Sequence, residues 1–315
     1  MHLSLWPWAL FGVLVLSALA LDLGLFHSPR GGQRELSLRE AAARTVAWAA
    51  LSILFGLVVL AMYGERAALL YVTAYLLEQS LSIDNVFVFL LIFSELRVPT
   101  IQQRGVLLWG VIGALVMRAA LIAAGLFLLS RFHWVVYPFA ALIIFAAIRL
   151  LFGGQKQREL VVAACAICST WVARIIPITP QYHGGRFWVR QAEQGGRLVA
   201  TPLLVALIIV ETTDIVFALD SVPAVLAVTR EPFIVYTSNI FAMLGLRSLY
   251  FVLAGIVERF RYLRIGLAAI LIFFGGRLLL SSFLEIPNGL SLGVIAASLA
   301  LSVAASLKWP SAAAT

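Results

Sequence analysis

Nine apolar runs of about twenty residues follow one another along this 315-residue chain. A run of that length crosses the hydrocarbon core of a bilayer as a helix. The runs cover residues 3–25, 41–62, 69–94, 106–130, 132–152, 201–228, 233–256, 264–284 and 289–307. Hydrocarbon offers no partner to a backbone N–H or C=O, so each run must satisfy itself as a helix. The fold expected is all-α, a polytopic membrane protein with about nine transmembrane helices. Composition agrees: 62% of residues are hydrophobic and 12% charged, which excludes an ordinary soluble domain. The formal charge of +8 does not call for nucleic acid here; in such a chain it marks basic loops.

The loops set the orientation. The first holds Arg30, Arg34, Arg39 and Arg44; the third, Arg97 and Arg104; the seventh, Arg259, Arg261 and Arg264. The long fifth loop adds Arg149, Lys156, Arg158, Arg174, Arg186, Arg190 and Arg197. The even loops hold only Arg66, Arg131 and Arg230, so sixteen basic residues fall on one side and three on the other. The positive-inside bias predicts odd loops in the cytoplasm, the N-terminus outside and Lys308 inside. The first run has no basic n-region before it and is expected to be a retained span rather than a signal peptide. Leu160–Ala173, apolar but only fourteen residues long, is expected to be a short interfacial helix within a cytoplasmic loop over 153–200. Pro177, Pro180, Gly184, Gly185, Gly195 and Gly196 predict irregular chain after it. The chain then divides into two N-terminal spans (1–62), a three-span unit (69–152), the loop, a second three-span unit (201–284) and a last span (289–307).

The two three-span units share three landmarks in one order. Glu78-Gln79-Ser80-Leu81-Ser82-Ile83-Asp84-Asn85-Val86 matches Asp214-Ile215-Val216-Phe217-Ala218-Leu219-Asp220-Ser221-Val222. An arginine follows in the next span, Arg118 or Arg247, and then an apolar run ending in Arg-Leu-Leu at Arg149 or Arg277. Three is odd, so the copies cross the membrane in opposite senses. Spans three to five and six to eight are thus expected to form an inverted repeat, as in many secondary transporters.

Charged groups inside a bilayer are costly and mark function. Glu78, Asp84, Glu211, Asp214 and Asp220 lie in spans three and six, against Arg118, Arg247 and Arg277 in neighbouring spans. These acids and arginines could pair only to hold the bundle together. The excess of acid, however, calls for protons or a cation. The donors are all oxygen, including Asn85 and Ser221, which suits Mn, Mg or Ca over Cu(I) or Zn. Low dielectric favours the neutral form of a carboxylate, so such a cluster can trade protons for a divalent ion. Acids six positions apart differ by about 240° around a helix. The acids must therefore serve two faces, or the helices must unwind; Asn85, Ser221 and Pro223 are where unwinding is expected. Asp22 and His27 at the end of span one, His133 and His183 read as interfacial or structural. Cys165 and Cys168, spaced C-x-x-C without a βαβ setting, read as small hydrophobes.

These segments resemble the TerC family, integral membrane proteins named for tellurium resistance. The resemblance is carried by Leu21 to His27, Glu78 to Phe89, Thr201-Pro202, Glu211 to Val228, Pro232 to Phe241 and Gly245 to Tyr250. It implies a relation to the lysine-exporter-type transporter superfamily and a place in the bacterial inner (plasma) membrane. It also implies a Mn²⁺ exporter; protons as the coupling ion are what the acid cluster suggests, and no permanently bound cofactor is expected. By position the family's acidic motif falls on Glu78, Asp84, Asn85, Glu211, Asp214, Asp220 and Ser221, which would hold the metal. Arg118 and Arg247 would balance charge in its absence. The alternative is a non-transporting membrane component of a tellurite or oxyanion stress system that recruits partners through the cytoplasmic loop. No nucleophile–base pair or cofactor fingerprint points to an enzyme.

Overall fold

The computed structural model describes residues 6–26, 37–152, 154–191, 197–254, 262–281 and 286–308. It is helical almost throughout. Residues 1–36 and 37–315 form separate compact units. The first contributes α1 (Trp6–Phe26), a 21-residue helix on which the first expected span falls. The side chains of Asp22 and His27 lie outside the described residues, as do Arg30, Arg34, Arg259 and Arg261.

In the second unit the helices are α2 (Leu38–Tyr63), α3 (Glu65–Glu95), α4 (Thr100–Arg131) and α5 (Val136–Phe152), the last entered through a single 3₁₀ turn. After α6 (Gly154–Ile175) come two short strands, β1 (Trp188–Gln191) and β2 (Arg197–Ala200). The chain ends with α7 (Pro202–Val228), α8 (Pro232–Ala254), α9 (Leu263–Leu280) and α10 (Asn288–Lys308). Among the described residues eight helices are long and apolar enough to cross a membrane: α2, α3, α4, α5 with its 3₁₀ turn, and α7 to α10. They coincide with the second to ninth expected spans, because the apolar runs fix where the chain can stay in lipid.

Local signals set several boundaries. Ser37 and Glu40 form a capping box at the start of α2, each side chain accepting from the other's backbone N–H. Gly64, at φ +82°, makes the tight turn from α2 into α3. Pro202 stands at the first position of α7, where its missing N–H costs nothing.

The fifth loop is more ordered than its glycines and prolines predict. α6 is longer than the expected 160–173 piece, and β1 pairs antiparallel with β2. Thr179 N–H donates to the Ala200 carbonyl and Ala200 N–H to that of Pro177, so the segment after α6 joins the hairpin edge. The Tyr182 hydroxyl donates to the Leu96 carbonyl at 2.7 Å and ties this lobe to the α3–α4 turn. Phe187-Trp188-Val189 are aromatic and β-branched residues that favour a strand, a signal that the flanking glycines obscured.

Within the bundle α3 packs on α8, α4 on α7, α5 on α9, and α3 on α7. Glycines let α4 and α7 approach: a Cβ on Gly110 would lie 3.2 Å from Val210, and one on Gly125 2.7 Å from Leu226. The surface is apolar, with Val116, Phe145, Ile148, Val216 and Leu219 exposed. The interior holds Glu78, Asp84, Asn85, Arg118, Asp214, Asn239 and Arg247. Lipid tails solvate the outside, while the polar groups must find one another inside.

The unwinding expected at Asn85, Ser221 and Pro223 does not occur. α3 runs unbroken through Asn85 and α7 through Pro223. Neighbouring helices supply side-chain partners for the acids, so no freed carbonyls are needed, and a membrane helix tolerates one proline.

Candidate cation site

The four motif acids separate into two adjoining groups, one on each face of α3 and α7. The first is built around Arg118. Its Nε and Nη2 donate to Asp214 Oδ2 and Oδ1 at 3.2 and 3.4 Å, a bidentate fork. Its Nη1 donates to Glu78 Oε2 at 2.8 Å and to Ser221 Oγ at 3.2 Å. Glu78 Oε1 in turn accepts from Asn239 Nδ2 at 2.7 Å. Arg118 is 1% exposed, Glu78 1% and Asp214 2%. Glu78, Asp214 and Arg118 thus form one buried, hydrogen-bonded charge cluster in a medium that solvates charge poorly.

The second group lines a crevice. Asp84 and Asn85 from α3 face Asp220 and Ser221 from α7, with Leu81, Ala146, Leu150, Phe217 and Leu271 as apolar walls. The cavity is about 30 Å³, room for one water or one ion stripped of most of its hydration shell. Arg149 of α5 closes one side, its Nη2 3.0 Å from Asp220 Oδ2. Arg264 of α9 brings Nε to 4.0 Å from Asp84 Oδ1 and lies over the Phe87 ring. Every polar donor that α3 and α7 present here is an oxygen or an amide. Ser221 belongs to both groups, since it lines the crevice and accepts from Arg118.

The other expected residues lie beside or beyond these two groups. Glu211 sits one turn before Asp214, half-buried, with its carboxyl against Gly113 of α4; any Cβ there would collide with it. Arg247 borders a small void shared with Asp214, Met243 and Val210. Arg277 is taken up elsewhere: Nη1 donates to Ser291 Oγ at 2.8 Å and Nη2 to Asn288 Oδ1 at 3.0 Å, both on α10. Among the described residues no three His, Cys, Asp or Glu side chains converge closely enough to hold a metal by themselves. A cation in the crevice would therefore be held by two carboxylates together with Asn85 and Ser221. His133 opens the 3₁₀ turn, exposed, and His183 Nε2 lies 3.3 Å from Thr179 Oγ1.

Sequence reading missed Arg149, Arg264 and Asn239. The first two were counted as loop charges, although Arg149 stands in the repeated Arg-Leu-Leu. Asn239 lies in a segment of the family resemblance but carries no charge to attract notice. Cys165 is buried in α6, and burial, then the nearby Glu95 carboxylate, pushes its thiol up to about 11. Such a thiol stays protonated at neutral pH and is a poor nucleophile.

Residues 63–313 match the integral membrane protein TerC family. An uncharacterized membrane protein of Myxococcus xanthus, STKORF319, is 45% identical over 300 residues, covering 95% of this chain and 91% of its own. Proteins named "Putative membrane-bound redox modulator Alx" are also similar. That of Photorhabdus laumondii is 41% identical over 304 residues, covering 94% and 92%. That of Escherichia coli K12 is 41% identical over 296 residues, covering 91% and 90%. No solved structure matches the chain. The chain belongs to the TerC family.

Proposed function

We propose that this TerC-family membrane protein exports a divalent metal cation, Mn²⁺ first, in exchange for protons. The observation that carries the reading is the crevice: the acid and its following amide or hydroxyl from each repeated stretch, Asp84-Asn85 and Asp220-Ser221, meet across it. Oxygen donors of this kind suit a hard or borderline ion. Glu78 and Asp214, held by Arg118, form an adjoining anionic station that the ion or a proton reaches next. Glu211 is a further proton-accepting group along α7.

The inverted repeat is part of the same proposal. Exchanging α3 with α7, α4 with α8 and α5 with α9 turns the α3–α8 packing into the α7–α4 packing. It leaves α5–α9, α3–α7 and α4–α8 as they are. Those pairings fit a two-fold axis in the membrane plane, although α7 also packs on α9 where α3 and α5 make no comparable contact. The same proposal puts the protein in the bacterial inner membrane, as the family resemblance implies, with the N-terminus outside and the C-terminus inside as the loop charges suggest.

The relatives' name raises a redox role. The chain's two cysteines are the buried Cys165 and half-buried Cys168 of α6. With its thiol held protonated, Cys165 is a weak basis for dithiol exchange.

The test is Mn²⁺ uptake into inside-out vesicles containing the purified protein, with and without a pH gradient. Uptake is expected to depend on the gradient and to be lost in Asp84→Asn and in Asp220→Asn. A folded protein that moves none of Mn²⁺, Mg²⁺ or Ca²⁺ sinks the transport reading. If function instead survives both substitutions and fails on deletion of residues 155–197, the partner-recruiting role takes its place.

A further inference from the structure

We propose that Arg149 is a tethered competitor for the transported cation: its guanidinium holds Asp220 while the crevice is empty, and an arriving ion must displace it. The inference rests on the cation-transport reading and specifies how that same site is regulated.

Three observations carry it. First, the arginine sits on a ligand. Arg149 comes from α5, reaches across to α7 and places Nη2 3.0 Å from Asp220 Oδ2, in the wall of the cavity shared with Asp84, Asn85 and Ser221. Second, the pair is built to open. Arg149 is 34% exposed, against 1% for Arg118. Arg149 stands three residues before the end of α5 (Val136–Phe152), so its guanidinium can snorkel toward the membrane interface when it leaves Asp220. Arg118, forked on Asp214 and fully buried, has no such alternative. Third, the pairing does not follow from the sequence motif alone. Arg277, the other arginine before Leu-Leu, is retained by Ser291 and Asn288 and serves no acid of the site.

An arginine suits this task because it stays charged at any physiological pH. It cannot leave Asp220 by losing a proton, so it must move. A tethered cation lowers the apparent affinity of the free one by the fraction of time it occupies the carboxylate. It also refills the site after release, which gives Asp220 a counter-charge while no ion is bound.

The experiment compares wild type with Arg149→Met and Arg149→Lys, using the full chain in lipid nanodiscs and in vesicles. Calorimetric titration with Mn²⁺ gives Kd; vesicle uptake gives KM and the maximal rate. Arg149→Met is expected to tighten Kd and KM about three- to fivefold while lowering the maximal rate, and Arg149→Lys to bring both back toward wild type. A merely structural arginine would raise KM, or lower the rate with KM unmoved. Thermal melting of the variant in detergent separates misfolding from either result. Binding by wild type that Arg149→Met leaves unchanged or weakens overturns the competitor and spares the transport reading. Absence of Mn²⁺ binding in both wild type and Arg149→Met overturns the two together.

Discussion

Arg118 is the residue on which the interior depends. It joins three helices by donating to Glu78 on α3 and to Asp214 and Ser221 on α7 from its own place on α4. Taking a guanidinium and two carboxylates out of water is expensive, and their attraction only offsets that cost. Deleting one partner leaves the others charged and stranded. Arg118→Met is therefore expected to cost about 3–5 kcal/mol, read as a fall in the melting temperature of the detergent-solubilised protein. Adding Glu78→Gln and Asp214→Asn to it should recover most of the loss, since no buried charge then remains unpaired. A single variant as stable as wild type would show that the three groups do not share a charge network. Asp220 and Arg149, 16% and 34% exposed, are expected to contribute less to stability than the Arg118 cluster. The two ion pairs thus divide into one that holds the bundle and one free to exchange.

At the scale of the element, close approach is decided by where glycine stands on a helix. On α9, Gly266 faces α10: a Cβ there would lie 2.9 Å from the Ser298 carbonyl and run into the Ser302 hydroxyl. Gly276, on the same helix, has nothing within 4 Å of the added atom. Gly266→Ala should force α9 from α10 and cost about 1–3 kcal/mol. Gly276→Ala should be neutral or stabilising by up to about 1 kcal/mol, because alanine is the better helix former. Thermal melts of the two variants side by side check this, and equal losses would refute the packing argument. α7 makes a related point. Pro223 sits inside a helix that continues past it, so the break a soluble-protein rule predicts is absorbed. The acids of α7 did not need that break. Six positions apart on an intact helix, Asp214 and Asp220 simply serve two faces, Arg118 on one and the crevice on the other.

For the whole molecule the distribution of polarity is the organising fact. Apolar side chains face outward, and the buried acids on α3 and α7 meet arginines from α4, α5 and α9. A membrane orientation follows from the loops and can be checked directly. With Cys165 and Cys168 replaced by serine, a single cysteine at Leu198, exposed on the β1–β2 hairpin, should react with an impermeant thiol reagent in inside-out vesicles and not in intact cells. The reverse result would invert the topology and with it the direction of transport. The linear chain determined the helices and the candidate acids by itself. Bilayer thickness translates into run length, and the cost of a charge in lipid makes Glu78, Asp84, Asp214 and Asp220 conspicuous without any coordinates. The partition of those acids was not legible. Helical phase said that Glu78 and Asp84 point apart but not toward what. Arg149 and Arg264 read as loop charges because their spans end near them, and Asn239 carried no charge to notice. Only the packing of α4 and α5 against α7, α8 against α3 and α9 near α3 decided which arginine or amide reaches which acid. Contacts between residues some seventy to one hundred and eighty positions apart are set by how helices dock, and no local pattern encodes them.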